Sequence, residues 1–416
     1  MAPPLVNSPE RVATIMLLWH SLELVSCSTL QTLWAGYGRI CEITVRAATD
    51  KAAWKLDELC GLESGVAGTT YPLVLKLISP PSIPRSNADE GHLRKMLSYE
   101  VEQYFYSDVA PLLGDDIAVA KCLASTRGID GEDNEELRGL MAMIMVDLRP
   151  KFPIAGGKRS ALNYAQVCGA LEWLAKFHGR SLELKPYNLA EYILPPLEEK
   201  STRKTRGGIW LNGGYTYLST RRKEYTSLAE DESEWSVALC SSTFEDSSLS
   251  VAEMVAQFLT PRGRPIESYI HGDVKSENLF TTTNGENVVF FDFQYVGIGL
   301  GVCDLAKLFT CSVPLHMLVD SYGPLPDQLT MRDGEKKLLE RYRASMIQDE
   351  KSGLYNWENF ERHWETALVD WCRFQASWGF WGNTEWLEAR VRSILSDQKW
   401  RDWLQENTSS QSSLSN

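Results

Sequence analysis

Apolar residues change their spacing part-way along this chain, from short runs and alternations to helical repeats. Ser8 to Leu24 carries apolar residues at near-helical spacing, with Ser8 placed as an N-cap before Pro9 at the first helical position. Leu33–Ala48 reads as strand, glycine turn and strand, with Cys41, Ile43 and Val45 alternating. Thr69–Ser79 and Met141–Leu148 have the residue types of buried strands. Between them the spacing predicts a helix over Arg94–Val109, ended by Pro111. After RPKFP breaks regular structure, Ser160–His178 is helical, with Leu162, Val167, Leu171, Leu174 and Phe177 among its apolar positions. Residues 196–250 read as irregular, and their basic (EKSTRKTRGG) and acidic (EDESE) runs as solvated loop. Helical pattern resumes near Leu249, returns over Gly334–Met346 and runs on to Leu404. The polar end QENTSSQSSLSN is expected to be disordered. The sum is an α+β chain: a strand-rich part to residue 147, a mainly helical part over 148–404, and a tail over 405–416.

Composition narrows the function classes. A chain of 416 residues with 44% hydrophobic and 23% charged residues can bury a large core. Its net charge of −13 argues against binding a nucleic-acid backbone, which calls for a basic face. An acidic surface serves solubility, and it could also attract a cationic substrate. Nine cysteines without a C-x-x-C pair suit reduced thiols. No run of 18 apolar residues marks a membrane span, and the start makes a poor signal peptide, so the expected location is the cytoplasm.

The segment Ile270–Ala306 carries the chemistry. It reads IHGDVKSENLFTTTNGENVVFFDFQYVGIGLGVCDLA and sets Asp273, Asn278 and Asp292 around a short hairpin. The protein-kinase catalytic loop has the form H-R-D-x-x-x-x-N followed by D-F-G; here the chain has HGDVKSEN followed by DFQ. In that template the first Asp takes the hydroxyl proton, and the Asn and second Asp hold Mg²⁺. A neutral amide oxygen and one carboxylate suit Mg²⁺, which takes few protein oxygens and keeps its water. His271 is better suited to bracing the loop than to acid–base work. Lys76, alone in the apolar strand PLVLKL, needs a carboxylate or a phosphate partner if it is buried. Gly36-Tyr37-Gly38 lies ahead of that strand, where a phosphate-covering loop would lie, although a lone G-x-G is a common turn.

The HGD-x-x-x-x-N, DFQ and G-x-G-x-x-D-L-A patterns resemble the aminoglycoside phosphotransferase and choline kinase superfamily, and within it the ecdysteroid-kinase-like, or CHK kinase-like, branch. LWAGYGRI, SYEVEQYFYSDVAP, GGYTYLSTR and VDWCRFQASWGFWGN extend the likeness over about residues 30 to 404. The resemblance implies a bilobal protein-kinase-like fold that uses ATP and Mg²⁺, with a nucleotide-binding lobe over 1–147 and a catalytic and acceptor-binding lobe over 148–404. It pairs Lys76 with an acid on the following helix: Glu102 by the E-x-x-F-Y spacing, or else Glu100. It places a hinge touching adenine at Met145, Val146 and Asp147, and makes Asp304 a helix cap or a brace for the catalytic loop.

Gln294 in place of the D-F-G glycine, the absence of A-P-E and the short distance from Asp292 to Asp304 leave no room for a peptide platform. The implied acceptor is therefore a small-molecule alcohol: a sterol-like or other apolar alcohol, an amino alcohol or an aminoglycoside-like polyol. A nucleotide-binding pseudokinase is the alternative, and a protein kinase a third. Trp364, Leu368, Trp371 and Trp378 share one helical face. That stripe is either core or, near the WGFWGN break, the wall of an acceptor cleft at Trp378 or Trp381, with Asp370 available to a polar group.

Overall fold

A computed structural model of the chain describes residues 8–63, 65–80, 90–128, 136–186, 188–202, 208–242, 248–319, 323–347 and 355–409. The chain divides into two compact units, Met1–Lys151 and Phe152–Asn416. The first holds an antiparallel sheet and the second is mainly helical, so the α+β class expected from the sequence is the one observed.

In the first unit, helix α1 (Pro9–Leu18) starts where the sequence places it: the Ser8 hydroxyl accepts a hydrogen bond from Arg11 N–H at 3.2 Å. It ends six residues before Leu24, because the chain turns into strand β1 (Leu22–Thr32). Strand β2 (Gly38–Ala47) follows, then helix α2 (Asp50–Cys60), capped by the Thr49 hydroxyl and closed by Gly61 at φ 70°. Strand β3 (Thr70–Ile78), helix α3 (Glu90–Tyr104), strand β4 (Cys122–Ser125) and strand β5 (Met141–Val146) complete the unit. The sheet order is β1-β2-β3-β5-β4. Cys41, Ile43 and Val45 of β2 point into one core with Leu73 and Leu75 of β3 and Met16 of α1. The helix expected over Arg94–Val109 begins at Glu90 and tightens and loosens at its end: Phe105–Val109 forms a π turn and Ala110–Leu112 a 3₁₀ turn.

The second unit opens with strand β6 (Ile154–Ala155) and helix α4 (Tyr164–Leu184), which starts on a capping box made by Asn163 and Gln166. The region expected to be irregular contains helices α5 (Pro196–Thr202), α6 (Arg222–Glu230) and α7 (Glu234–Cys240). The acidic run joins α6 to α7, and Leu228, Trp235 and Leu239 are the apolar side chains that these two helices bury. Residues 203–207 of the basic run lie outside the described residues. Helix α8 (Val251–Leu259) leads to strands β7 (Ser268–Ile270), β8 (Leu279–Thr281), β9 (Val288–Phe290) and β10 (Gly297–Gly299). Helices α9 (Val302–Cys311), α10 (Leu315–Leu318), α11 (Asp333–Met346), α12 (Trp357–Trp378), α13 (Thr384–Ser396) and α14 (Gln398–Ser409) finish the chain. The start of the tail expected to be disordered is thus helical through Ser409, continuing from the buried Trp400 and Leu404, whereas 410–416 lie outside the described residues. No described helix is long and apolar enough to cross a membrane.

The two glycines of the β1–β2 turn answer to different constraints. A Cβ on Gly38 would collide with Leu77 O of the neighbouring strand, whereas one on Gly36 meets nothing within 4 Å and suffers only from φ +73°. Gly38→Ala should therefore destabilise the protein by about 2 kcal/mol or more, as overpacking does. Gly36→Ala should cost about 1 kcal/mol, the usual penalty for a side chain in left-handed backbone. Urea unfolding of both variants measures the difference, and equal losses would mean that the β2–β3 approach at Gly38 is not tight.

Candidate active site

In the first unit, Lys76 lies two residues before the end of β3, opposite Ile40 on one side and Met143 on the other. It is 4% exposed, so its ammonium is largely withdrawn from water, and it donates to Glu102 Oε2 of α3 at 2.5 Å. Glu102 is 2% exposed, which favours it over Glu100 as the acid on the helix. Tyr99, on the same helix, lies under the ammonium with its ring centre 5.7 Å away.

The glycine turn is short. Ala35 and Gly36 take left-handed backbone, and Tyr37 is buried, its hydroxyl bonded to His92 Nδ1 at 2.7 Å. Met145 and Val146 end β5, and Val146 N–H donates to Lys121 O at 3.0 Å. The Asp147 carboxylate is turned onto Arg149, whose Nη2 lies 2.6 Å from it.

In the second unit, the loop between β7 and β8 is tied down from several sides. Asp304, fully buried in the first turn of α9, accepts the N–H groups of His271 (2.6 Å) and Gly272 (2.9 Å) and is bonded to His178 Nε2 at 3.1 Å. Gly301 holds the cap position of that helix, so Asp304 is the brace of the two roles expected for it. Burial opposes its ionisation, but the His178 hydrogen bond and the nearby charges outweigh burial and hold the carboxyl below its usual range.

His271 is the loop brace expected from the sequence. Its Nε2 faces Phe291 O at 2.9 Å while its Nδ1 accepts Asp273 N–H at 3.2 Å. Those two bonds specify one neutral tautomer, with the proton on Nε2. Burial, partly offset by Asp304 and Asp273, lowers its pKa in the same sense.

The hairpin then brings three site residues to one end. Leu279 of β8 pairs with Phe290 of β9, and Phe291 N–H donates to Asn278 O at 3.0 Å, so Asn278 lies across from the residue preceding Asp292. Asn278 Nδ2 donates to both Asp273 O and Asp273 Oδ2 at 2.9 Å. The amide oxygen is then the atom left for a cation. Asp292 adopts φ 67°, ψ 62°, a left-handed conformation that costs a non-glycine residue on the order of 1 kcal/mol and is concentrated at functional sites. Gln294 Nε2 donates to its Oδ1 at 2.6 Å.

Among the described residues no group of three His, Cys, Asp or Glu side chains could hold a metal. Asn278 and Asp292 instead offer two oxygens, the sparse set that Mg²⁺ accepts when water and phosphate complete its shell.

Lys275, two residues after Asp273, was not singled out from the sequence although it lies inside the quoted motif. Its ammonium sits 3.0 Å from Asp273 Oδ2 and 3.7 Å from Glu277. Burial would lower its pKa, but the charge and hydrogen bond of Asp273 win and raise it, so it stays a cation. Tyr215 was also missed as a site residue. It belongs to the GGYTYLSTR stretch, and Gly214 in that stretch lies so close to the loop that a Cβ on Gly272 would come within 2.6 Å of its nitrogen.

A cleft of about 360 Å³ opens on Asp273 within this unit, a size usual for small-molecule sites. Tyr215, Trp371, Trp378, Phe380 and Trp381 are among its walls. The tryptophan stripe therefore divides: Trp364 and Leu368 are fully buried core, whereas Trp378 is 57% exposed at the end of α12. Asp370 is not among the residues lining this cleft. Arg373 holds its Oδ1 at 2.7 Å, and it lines a smaller adjoining cavity that shares Thr216, Lys307 and Trp371 with the cleft.

A family model described as the ecdysteroid kinase-like family matches residues 73–325, more than half of the chain, which belongs to that family. No curated protein matches. Solved structures similar to the chain include a thermostable mutant of an aminoglycoside phosphotransferase in complex with ADP and hygromycin B (11% identity, 94% of this chain and 98% of that one, TM-score 0.43). They also include an ethanolamine kinase from Plasmodium vivax (13% identity, 92% and 84%, TM-score 0.37) and a choline kinase from Cryptosporidium parvum Iowa II (11% identity, 92% and 89%, TM-score 0.38).

The buried Lys76–Glu102 pair carries a stability consequence. Lys76→Met leaves a buried carboxylate without its cation and should cost about 3–5 kcal/mol. Adding Glu102→Gln should recover more than half of that loss. Chemical unfolding of the single and double variants tests the coupling, and an additive double variant would show that the two side chains do not depend on each other.

Proposed function

We propose that this member of the ecdysteroid kinase-like family is a phosphotransferase that moves the γ-phosphoryl group of ATP to a hydroxyl of a small molecule. The observation that carries the proposal is the union, at one hairpin end, of Asp273, Asn278 and the left-handed Asp292, with Asp273 facing an aromatic cleft. Asp273 orients the acceptor hydroxyl and takes its proton as the oxygen–phosphorus bond forms and the bond to the ADP oxygen breaks. Lys275, 3.0 Å from Asp273 Oδ2, presents a cation where phosphate charge is handled.

Asn278 and Asp292 would hold Mg²⁺, which neutralises phosphate charge when bound. Lys76, steadied by Glu102, would hold the α- and β-phosphates. Gly36 and Gly38 would cover the phosphates, and backbone groups of Met145, Val146 and Asp147 would meet adenine. Val146 N–H is already donated to Lys121 O, so its carbonyl and the neighbouring groups would serve that contact.

A small acceptor is favoured over a peptide because α9 begins ten residues after Asp292, with β10 in between. Incubation of a metabolite extract with γ-labelled ATP, Mg²⁺ and the protein should yield a labelled small molecule identifiable by mass spectrometry. Binding of MgATP without any labelled product would instead favour a nucleotide-binding scaffold.

Two variants separate the roles. Asp273→Asn should lower kcat on the order of 100-fold, the scale of a positioned acid–base group, with ATP affinity little changed. Near-normal turnover would remove Asp273 from the reaction. Asp292→Ala should weaken both MgATP binding and turnover, and raising the Mg²⁺ concentration should restore part of the activity. Calorimetry showing unaltered MgATP binding, together with unaltered activity, would reduce Asp292 to a turn residue.

A further inference from the structure

The charge of the cleft runs against that of the chain. Its lining holds four cations, Lys158, Arg159, Lys275 and Lys307, against two carboxylates, Asp273 and Glu277, a balance of 4 − 2 = +2 in a protein of net charge −13. Both carboxylates are already taken up by Lys275, at 3.0 and 3.7 Å. Among the described residues no carboxylate lies within ion-pair distance of Lys158, Arg159 or Lys307. Arg159 is also held in left-handed backbone at φ 53°, its N–H fixed on Glu277 Oε1 at 2.9 Å.

Lys307 makes the strongest demand for a partner. It is 6% exposed, and among the described residues its ammonium makes one hydrogen bond, to Gly272 O at 2.5 Å, out of the three it can donate. Two carboxylates in its surroundings are engaged by other donors: Asp304 by two backbone N–H groups and His178, and Asp370, through Oδ1, by Arg373. Trp371, whose ring lines the same cleft, keeps an indole N–H without an acceptor. The unmet groups here are donors and positive charges, which an anion satisfies.

The aromatic walls could hold a cation by their faces, but this protein's own cations already lie on several of them. Lys307 is 5.9 Å from the Trp371 ring centre, and Arg221 is 5.0 Å from that of Trp378 and 4.9 Å from that of Tyr215.

We propose that the acceptor is an alcohol with a flat apolar body and an anionic group (carboxylate, sulfate or phosphate), held by Lys307 with Lys158 and Arg159. Amino alcohols and polyamine-bearing polyols are disfavoured by the same charges. The proposal rests on the phosphotransferase assignment in naming the ligand an acceptor.

The test uses 6-(hydroxymethyl)-2-naphthoic acid, its neutral carboxamide and the matching aminomethyl compound. Each is titrated calorimetrically into the full-length protein without nucleotide. The carboxylate should bind about tenfold or more tightly than the amine, with the amide between. The double variant Lys158→Gln/Arg159→Gln changes exposed side chains only and should cut that preference at least threefold.

Equal affinities, tighter binding of the amine, no binding of any of the three, or an unchanged preference in the variant would overturn the proposal. So would competitive displacement of the carboxylate by AMP-PNP, which would assign these cations to the nucleotide phosphates. Turnover with ATP is read separately. A carboxylate preference, together with no labelled product from the metabolite extract, would leave the anion site standing and remove the phosphotransferase assignment.

Discussion

The buried carboxylate of Asp304 is the constraint from which the site geometry follows. An ionised group with no access to water is costly unless its oxygens are filled. Here the amides of His271 and Gly272 and the ring of His178 fill them, with the charge of Lys307 close by. The arrangement fixes the backbone of the H-G-D turn onto α9. From that fixed point the His271 ring reaches Phe291 O on one side and Asp273 N–H on the other. One neutral imidazole thus spaces the residue before Asp292 from the backbone of Asp273. A protonated ring could not accept the second bond, so burial of His271 helps keep the spacing constant. Groups whose positions are over-determined before substrate arrives lose little on ordering, which is what a positioning-dominated reaction requires.

The same clamp explains why glycines crowd this region. Gly272 sits at φ +83°, with Tyr295 O and Gly214 N where a side chain would go, and a Cβ on Gly297 would come within 2.7 Å of the Gly213 Cα. The GGY stretch is therefore a backbone packed against the H-G-D loop, and its Tyr215 lands on Tyr295 with ring centres 4.6 Å apart. Lys307 couples the two functions of the region. It donates to the carbonyl of Gly272, so it supports the turn, and it lines the cleft beyond. Changes at Lys307 will act on both, which is why the exposed Lys158 and Arg159 report the charge of the cleft more cleanly.

Legibility in the sequence followed the distance over which a residue's partners lie. Asp273, Asn278 and Asp292 fall within twenty residues on one hairpin, so their spacing alone announces shared chemistry. Lys76 was legible as a misfit, a charge in an apolar strand, but Glu102 is 26 positions away and came from a likeness of motifs. Strand β1 was missed because it is a sheet edge whose burial pattern lacks alternation. Helices α6 and α7 were hidden by the charge runs beside them, since each buries only a few apolar residues. The cations of the cleft come from three separate stretches, 158–159, 275 and 307, and no local pattern links them.

The tryptophan stripe shows why periodicity settles a helix face but not its use. On α12 the residues Trp364 and Leu368 are covered by α9 and its neighbours, whereas Trp371 already borders the cleft; Phe309 meets Trp364 edge-on at 5.0 Å, and Glu335 accepts the Trp364 indole N–H at 2.8 Å. Seven residues beyond Trp371 the helix ends at Trp378, and Gly379, at φ 129°, turns the chain away. Nothing covers the last ring completely: Phe374 stacks on one side at 6.2 Å and the Arg221 guanidinium lies at 5.0 Å. An identical residue on an identical face is therefore core where a second helix crosses it and cleft wall where the helix runs out. Side-chain spacing encodes the face; the crossing partner decides what the face does, and that partner is written elsewhere in the chain.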